Sequence, residues 1–208
     1  MRKSVLVVIS GPSGVGKTTI IKALLSRRSD VIFSVSCTTR PKRPGEVHGR
    51  DYFFITEEEF RSMVERGEFL EWAQVHGYLY GTPRSFIEKA INEGKSVILD
   101  IDVQGAMKVM ENFKDAVFIF VAPPSLEDLE KRLRKRKTES EESIRRRLKD
   151  ARWELQFIDK FQYLIINKEL DSAIEELDSI ITAEKIRVSR MEDEIERYKK
   201  EVVEGEDG

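Results

Sequence analysis

Four stretches of the chain are dominated by apolar residues: 5–9, 97–101, 117–121 and 164–166. They are rich in Val, Ile, Leu and Phe and lack a regular polar alternation. That is the pattern of parallel strands covered on both faces. Between them lie mixed segments with helical character, at residues 18–28, 103–112 and 125–137. The last follows Pro123-Pro124 and opens on Ser125, with Asp128 at the capping-box position. Strands alternating with helices predict a doubly wound α/β fold with a parallel sheet and flanking helices.

Residues 36–84 break this rhythm. Pro41, Pro44 and Gly45 punctuate their first part too closely for an α/β unit. Residues 52–55 then read as a strand, and Thr56-Glu57-Glu58-Glu59 as a capping box opening a short helix. Residues 69–72 and 78–80 read as further short strands, so this region is expected to be an inserted α+β subdomain. Residues 126–150 form a second excursion, two basic helices joined at Thr138-Glu139-Ser140, so strongly charged that few buried contacts are expected there. From about residue 170 past Tyr198 the pattern predicts one long helix, ending in an acidic tail. The expected organisation is a core of residues 1–35, 85–125 and 151–190, an insert at 36–84, a helical excursion at 126–150 and a C-terminal helix and tail at 191–208.

The segment Gly11-Pro12-Ser13-Gly14-Val15-Gly16-Lys17-Thr18 fits G-x-x-x-x-G-K-[ST] between an apolar strand and a helix. Its glycines let backbone N–H groups turn inward around a phosphate, and the following helix adds its positive end. Lys17 is placed to reach the β- and γ-phosphates of a nucleotide, and Thr18 to put its hydroxyl on Mg²⁺. The strand 97–101 carries Asp100, with Asp102 two residues on. Asp100 is either a Mg²⁺-associated carboxylate or an acidic strand end capping the next helix. Asp102, two residues away, is expected on the same strand face.

Charge narrows the range of partners. Of 208 residues, 36% are charged, above the roughly 25% of an average soluble protein. Lys and Arg number 36 against 38 Asp and Glu, a net charge of −2, which is not that of a general nucleic-acid binder. The charge is uneven: residues 127–152 hold eleven Lys/Arg against seven Asp/Glu, and residues 191–208 hold three against eight. A local basic segment in a neutral chain suits a small anionic ligand. The single cysteine, Cys37, excludes an internal disulfide framework, and two histidines, His48 and His76, argue against a His-rich metal site. No apolar run approaches the roughly 20 residues of a membrane span, and the N-terminal run reads as a buried strand rather than a signal peptide. A cytoplasmic globular protein is expected.

Residues 38–54 read TTRPKRPGEVHGRDYFF. Arg40 and Arg43 bracket turn-forming residues, and two guanidiniums three residues apart suit a dianionic phosphate. A solvated basic loop is the plainer reading of the same residues. The segment resembles the guanylate kinase signature T-[ST]-R-x-x-[KR]-x-x-[DE]-x-x-G-x-x-Y-x-[FY], through Thr38, Thr39, Arg40, Arg43, Glu46, Gly49, Tyr52 and Phe54. Residues 69–73, 80–82, 99–105 and 122–125 are similar to further blocks of that family in the same order. The resemblance spans about residues 4–187.

This resemblance implies a P-loop core, a GMP-binding subdomain, a mobile lid and the Mg²⁺-dependent reaction ATP + GMP ⇌ ADP + GDP, with dGMP as a second acceptor. It implies that ATP is held by Gly11, Pro12, Ser13, Gly14, Val15, Gly16, Lys17, Thr18, Thr19, Arg132 and Asn167. Ser36, Arg40, Arg43, Tyr52 and Tyr80 would hold the GMP phosphate, Glu71, Thr82 and Asp102 would read the guanine, and Glu46 and Asp100 would also belong to the GMP-binding site. Thr18 and Asp100 would hold the metal. Lys17, Arg43, Arg132, Arg136 and Arg147 would act on the transferring phosphoryl group. Glu71 matches guanine chemically, because a carboxylate only accepts and guanine offers N1–H and N2–H₂ together; Thr82 could donate to O6. Read from the residues alone, Glu71 could equally be an outward strand residue in a salt bridge. Lys168 departs from the family pattern, where an acidic residue is expected after Asn167. A non-catalytic binding module and a kinase for another nucleotide are the rival readings; the intact phosphate loop opposes the first and Glu71 with Thr82 the second. No nucleic acid or membrane partner is expected, and the chain is a monomer or homodimer.

Overall fold

The computed structural model describes residues 4–75, 77–135 and 140–206, the last four by backbone alone. Its strands in chain order are β1 (Leu6–Ser10), β2 (Val31–Phe33), β3 (Cys37–Thr38), β4 (Phe53–Phe54), β5 (Phe69–Val75), β6 (Tyr78–Pro83), β7 (Ser96–Asp100), β8 (Val117–Ala122) and β9 (Tyr163–Ile166). The helices are α1 (Lys17–Arg27), α2 (Glu57–Glu65), α3 (Arg84–Asn92), α4 (Val103–Asn112), α5 (Leu126–Lys135), α6 (Glu141–Glu154), α7 (Leu170–Lys185) and α8 (Glu192–Glu206).

Five strands form a parallel sheet in the order β2-β7-β1-β8-β9. The two faces of the strands feed two cores. Val5, Val7, Ile9 and Ile98 pack with Ile20, Ile21 and Leu24 of α1 and with Ile174, Leu177 and Ile181 of α7. Leu6, Val8, Val97 and Leu99 pack with Ile87 of α3 and with Ala106 and Val109 of α4. Burial on both sides is why these runs do not alternate. The edge strand β2 was not expected from the sequence. Three apolar residues between Asp30 and Ser34 are too few to stand out from a loop.

The insert is a second, four-stranded sheet, β4-β3-β6-β5, in which β3 pairs parallel with β4 and antiparallel with β6. Thr56 caps α2 by accepting from Glu59 N–H, as the sequence predicts. Phe60 of α2 stacks on Phe69 of β5, with ring centroids 4.5 Å apart, and closes a small core with Cys37 and Leu79. A Cβ on Gly81 would lie 2.8 Å from Phe69 Cδ1 and 2.9 Å from Phe60 Cζ, so this strand passes directly beneath the two rings.

Two expectations are corrected. The C-terminal helix is not continuous: α7 stops at Lys185, a short 3₁₀ turn covers Val188–Arg190, and α8 begins at Glu192. The core-facing stripe of α7 (Ala173, Ile174, Leu177, Ile181) has no apolar successor against the sheet, and Val188 is 73% exposed. The chain instead folds back on charge. Arg187 and Arg190 lie 3.6 and 3.5 Å from the buried Glu184 carboxylate, and Arg190 donates to Asp115 O.

The second correction concerns residues 126–150, whose charge suggested few buried contacts. Leu129, Leu133 and Ala151 are fully buried, with Leu126 and Leu148 against them, so α5 and α6 share a core of their own. Their exposed faces carry the Glu–Arg pairs that charge patterning anticipates: Arg134 with Glu130 and Glu141, Arg146 with Glu142. The predicted junction at Thr138 and Glu139, like His76, lies outside the described residues, while Ser140 caps α6 through Ser143 N–H.

Candidate active site

The C-terminal ends of the parallel strands meet the insert and the α5–α6 pair along one edge, and the predicted site residues gather there. β1 runs into the phosphate loop, residues 11–16. Gly11 has φ +136°, and a Cβ there would lie 2.1 Å from Val121 O of β8. Gly16, at φ +106°, forms the left-handed N-cap of α1, and a Cβ on it would lie 2.5 Å from Asn167 Nδ2. Both positions exclude a side chain by backbone geometry and by space.

The loop is held from behind. Asn167, just past β9, donates from Nδ2 to Val15 O at 2.7 Å. Arg132 of α5 donates to the same oxygen at 3.0 Å and to Asn167 O at 2.7 Å. Leu133, beside it, packs where a Cβ of Gly14 would stand, 2.7 Å from Cδ2. Arg147 of α6 donates to Ser13 Oγ at 3.3 Å. Two of the three expected arginines therefore reach the phosphate loop from α5 and α6, and the third, Arg136, lies outside the described residues. Pro12 and Thr19 take part through backbone: Val15 N–H donates to Pro12 O and Thr19 N–H to Gly16 O.

At the mouth of the loop, Lys17 Nζ donates to Gly11 O at 2.6 Å and lies 3.7 Å from Asp100 Oδ1. Thr18 Oγ1 is 3.4 Å from Asp100 Oδ2. Asp100 ends β7, and burial pushes its carboxyl up from the ordinary range, against the pull of Lys17 and Thr18. Two hard oxygen donors side by side at a phosphate loop suit Mg²⁺, which takes few protein ligands and fills the rest with water and phosphate. No group of three or more His, Cys, Asp or Glu side chains placed to hold a metal occurs among the described residues.

Asp102 is not on the strand face with Asp100. The strand ends at Asp100, and Asp102 is the N-cap of α4, its Oδ1 accepting from Gln104 N–H (2.8 Å) and Gly105 N–H (3.2 Å). Its negative charge still bears on Glu71, whose ionisation it disfavours.

On the insert, Arg40 is buried and already engaged. It donates to Glu46 Oε1 at 2.7 Å and to Pro41 O at 2.7 Å, and its guanidinium lies over the rings of Tyr52 and Phe54 at 5.5 and 5.7 Å. Glu46 accepts from Arg43 N–H through its other oxygen, so it aligns the arginine loop instead of facing outward. The Arg43 residue is exposed and Ser36 half-buried. Tyr52 and Tyr80 pack edge to face, 5.9 Å apart. The Tyr52 phenol is pushed up to about 12, first by burial and next by the negative charge of Asp100, which brings insert and core together at this point.

Glu71 of β5 is only 7% exposed. Its Oε1 accepts from Thr82 Oγ1 at 2.6 Å, and a Cβ on Gly105 would lie 2.9 Å from its Oε2. The Thr82 proton is thus directed at Glu71. Burial pushes the Glu71 carboxyl up to about 7, with Asp102 raising it further and Thr82 and Lys108 opposing. Sequence reasoning missed two residues here. Glu154, the last of α6, is half-buried and pushed up to about 7 by burial, with Lys17 and Asp102 among the charges acting on it. Nothing in so basic a segment singles out one carboxylate. Lys108 of α4 meets Trp72 of β5, a contact that no local pattern signals.

The chain is similar to known proteins in sequence and in fold. The family model for guanylate kinase matches residues 3–184. The guanylate kinase of Thermotoga maritima is 60% identical over 200 residues, covering 96% of this chain and 97% of that protein. That of Caldanaerobacter subterraneus is 52% identical over 192 residues, covering 92% and 93%. The crystal structure of guanylate kinase from Anaplasma phagocytophilum is similar with a TM-score of 0.77 at 35% identity, covering 91% of this chain and 90% of that one.

Proposed function

The chain belongs to the guanylate kinase family and is an ATP:GMP phosphotransferase, and from that premise we propose how its residues divide the work. The phosphate loop, 11–18, holds the ATP phosphates, with Lys17 at the β- and γ-phosphates and Thr19, Arg132 and Asn167 securing the loop and its surroundings. Thr18 and Asp100 would hold Mg²⁺, which would supply positive charge to the phosphates. Arg40, Arg43, Ser36, Tyr52 and Tyr80 receive the GMP phosphate, and Glu46 keeps Arg40 in line. Glu71 and Asp102 read guanine, with Thr82 orienting Glu71. The insert 36–84 is the GMP-binding unit, and α5 with α6 forms the lid over the core.

No general base is needed. A phosphate monoester has a second pKa of about 6 and is already mostly dianionic at neutral pH. The difficulty is to bring two polyanions together and to stabilise the transferring group, which is work for fixed positive charge and alignment. Lys17, Arg43, Arg132 and Arg147 provide that charge from three directions, and Arg136 is proposed with them.

The observation that carries the acceptor assignment is the buried Glu71 carboxylate held by Thr82 against Gly105. An acceptor-only group there fits the N1–H and N2–H₂ edge of guanine and misfits adenine, whose N1 accepts. A coupled ADP-release assay across GMP, dGMP, AMP, UMP, CMP and dTMP tests it; turnover confined to the guanine nucleotides is the expected result. A cytoplasmic location is proposed with this activity; among the described residues no helix is long and apolar enough to cross a membrane. A monomer or homodimer is proposed, to be resolved by sedimentation.

A further inference from the structure

Helix α4 lies along strand β5, and three of its residues face that strand's business end. Asp102 caps the helix, Gly105 leaves room for the Glu71 carboxylate, and Lys108 stands one turn further on. Residues three apart on a helix share a face, so Gly105 lies between the acid and the cation. Lys108 grips the residue next to Glu71 in two ways. Its Nζ donates to Trp72 O at 2.5 Å and sits 5.0 Å from the centroid of the Trp72 ring. The ring is in turn set edge to face with Phe60 of α2 at 6.4 Å. A cleft of about 280 Å³ at this junction is lined in part by Glu71, Trp72, Lys108 and Asn112.

We propose that Lys108 is a positioning residue for guanine selection: by fastening β5 of the insert to α4 of the core through Trp72, it fixes the Glu71 carboxylate opposite Gly105, aimed at the base. The inference rests on the reading of Glu71 as the base-recognising group.

The electrostatics run the same way. Two charged groups on α4 bear on Glu71: Asp102 favours its protonated form and Lys108 its ionised form. From β6, Thr82 supports the ionised form by hydrogen bonding. Only the ionised carboxylate can accept two guanine donors. Loss of the ammonium therefore acts in the direction of a protonated Glu71 and a looser β5, and both weaken GMP without touching ATP. Lys108 is itself exposed, so its charge acts through solvent and is screened by salt.

The test compares Lys108→Met, which keeps an alkyl stem over Trp72, with Lys108→Arg, which keeps charge and donor. Steady-state kinetics are run from pH 5.5 to 8.5, with Glu71→Gln in parallel. For Lys108→Met the KM for GMP at pH 7 is expected to rise about three- to tenfold, the size of an exposed charge's effect on a nearby carboxylate. The KM for ATP should stay unchanged, and the acid limb of kcat/KM for GMP should move to higher pH. Lys108→Arg should restore both. An unchanged GMP KM and pH profile in Lys108→Met, or an equal loss for GMP and ATP that Arg does not rescue, overturns the proposal. If Glu71→Gln itself leaves GMP use intact, the reading of Glu71 has failed. If Glu71→Gln is impaired while Lys108→Met is normal, only the role of Lys108 has failed.

Discussion

Thr82, fully buried, directs its hydroxyl proton at the Glu71 carboxylate across the β5–β6 pair, 2.6 Å away. The hydroxyl therefore orients an acceptor, and the free face of that carboxylate is the part left for a ligand. Glu71→Gln keeps one accepting oxygen for Thr82 but replaces the other with an amide donor. That donor would oppose a donor of guanine. A hydrogen bond to a charged group contributes about 1.5–3 kcal/mol, so kcat/KM for GMP should fall roughly 10- to 150-fold. AMP use should not fall in parallel, because an amide can donate to adenine N1. Parallel losses for GMP and AMP would make Glu71 a structural residue.

Lys17 bridges Gly11 O and the Asp100 carboxylate without filling a core. Lys17→Ala should abolish most turnover and leave the circular dichroism spectrum and melting transition close to the parent. A folded variant with near-normal turnover would remove the lysine from the mechanism.

Stability should run against the usual direction in the weakly acidic range. Glu71 titrates near 7 when folded and near its ordinary 4.5 when unfolded. Between those values the folded chain binds more protons than the unfolded one, so stability falls as pH rises. The contribution is fully present below about 4.5 and is lost on passing 7. At about 1.4 kcal/mol per pKa unit, it is on the order of 3 kcal/mol. Urea midpoints of the ligand-free protein should drop from pH 5 to pH 7.5, and Glu71→Gln should flatten that slope. Glu154, displaced in the same direction, should leave a residual slope that Glu154→Gln reduces further, with Asp100, also raised by burial, keeping its own share. A double variant as steep as the parent would contradict this account.

Ligand-free α5 should be well protected, because Leu129 and Leu133 are fully buried and Arg132 is tied to Val15 O. Amide exchange should be slow on its inner face and faster over the exposed faces of α6, with both slowed by a bisubstrate analogue joining adenosine to guanosine. Leu133→Ala should destabilise the protein by about 2–5 kcal/mol through the cavity it leaves, and should weaken ATP more than GMP. Equal weakening of both nucleotides would separate this contact from the phosphate loop.

Much of this architecture is legible in short-range pattern. The phosphate loop announces itself because its glycines, lysine and threonine are contiguous, and α4 has the bounds its sequence predicts. What stays hidden is set by distant partners. Val31–Phe33 becomes a strand only because β7 pairs with it. The break after Lys185 follows from where the sheet ends and from Glu184, buried beside Tyr163, whose phenol donates to it at 2.6 Å. Asp102 looked like a strand residue because alternation continues on paper past Asp100; helix capping intervenes. Glu154 and Lys108 act across contacts between elements far apart in the chain, and neither carries a local signature.

The contact beneath Gly11 also limits how this chain can vary. A side chain there would strike Val121 O, a main-chain atom that is present whatever residue occupies position 121. No second substitution can clear that space. Gly81 is different: its obstacles are the rings of Phe60 and Phe69, which smaller side chains would withdraw. In a search for revertants, an alanine at position 81 should therefore be rescued by changes at those two phenylalanines. An alanine at position 11 should yield only true reversion to glycine.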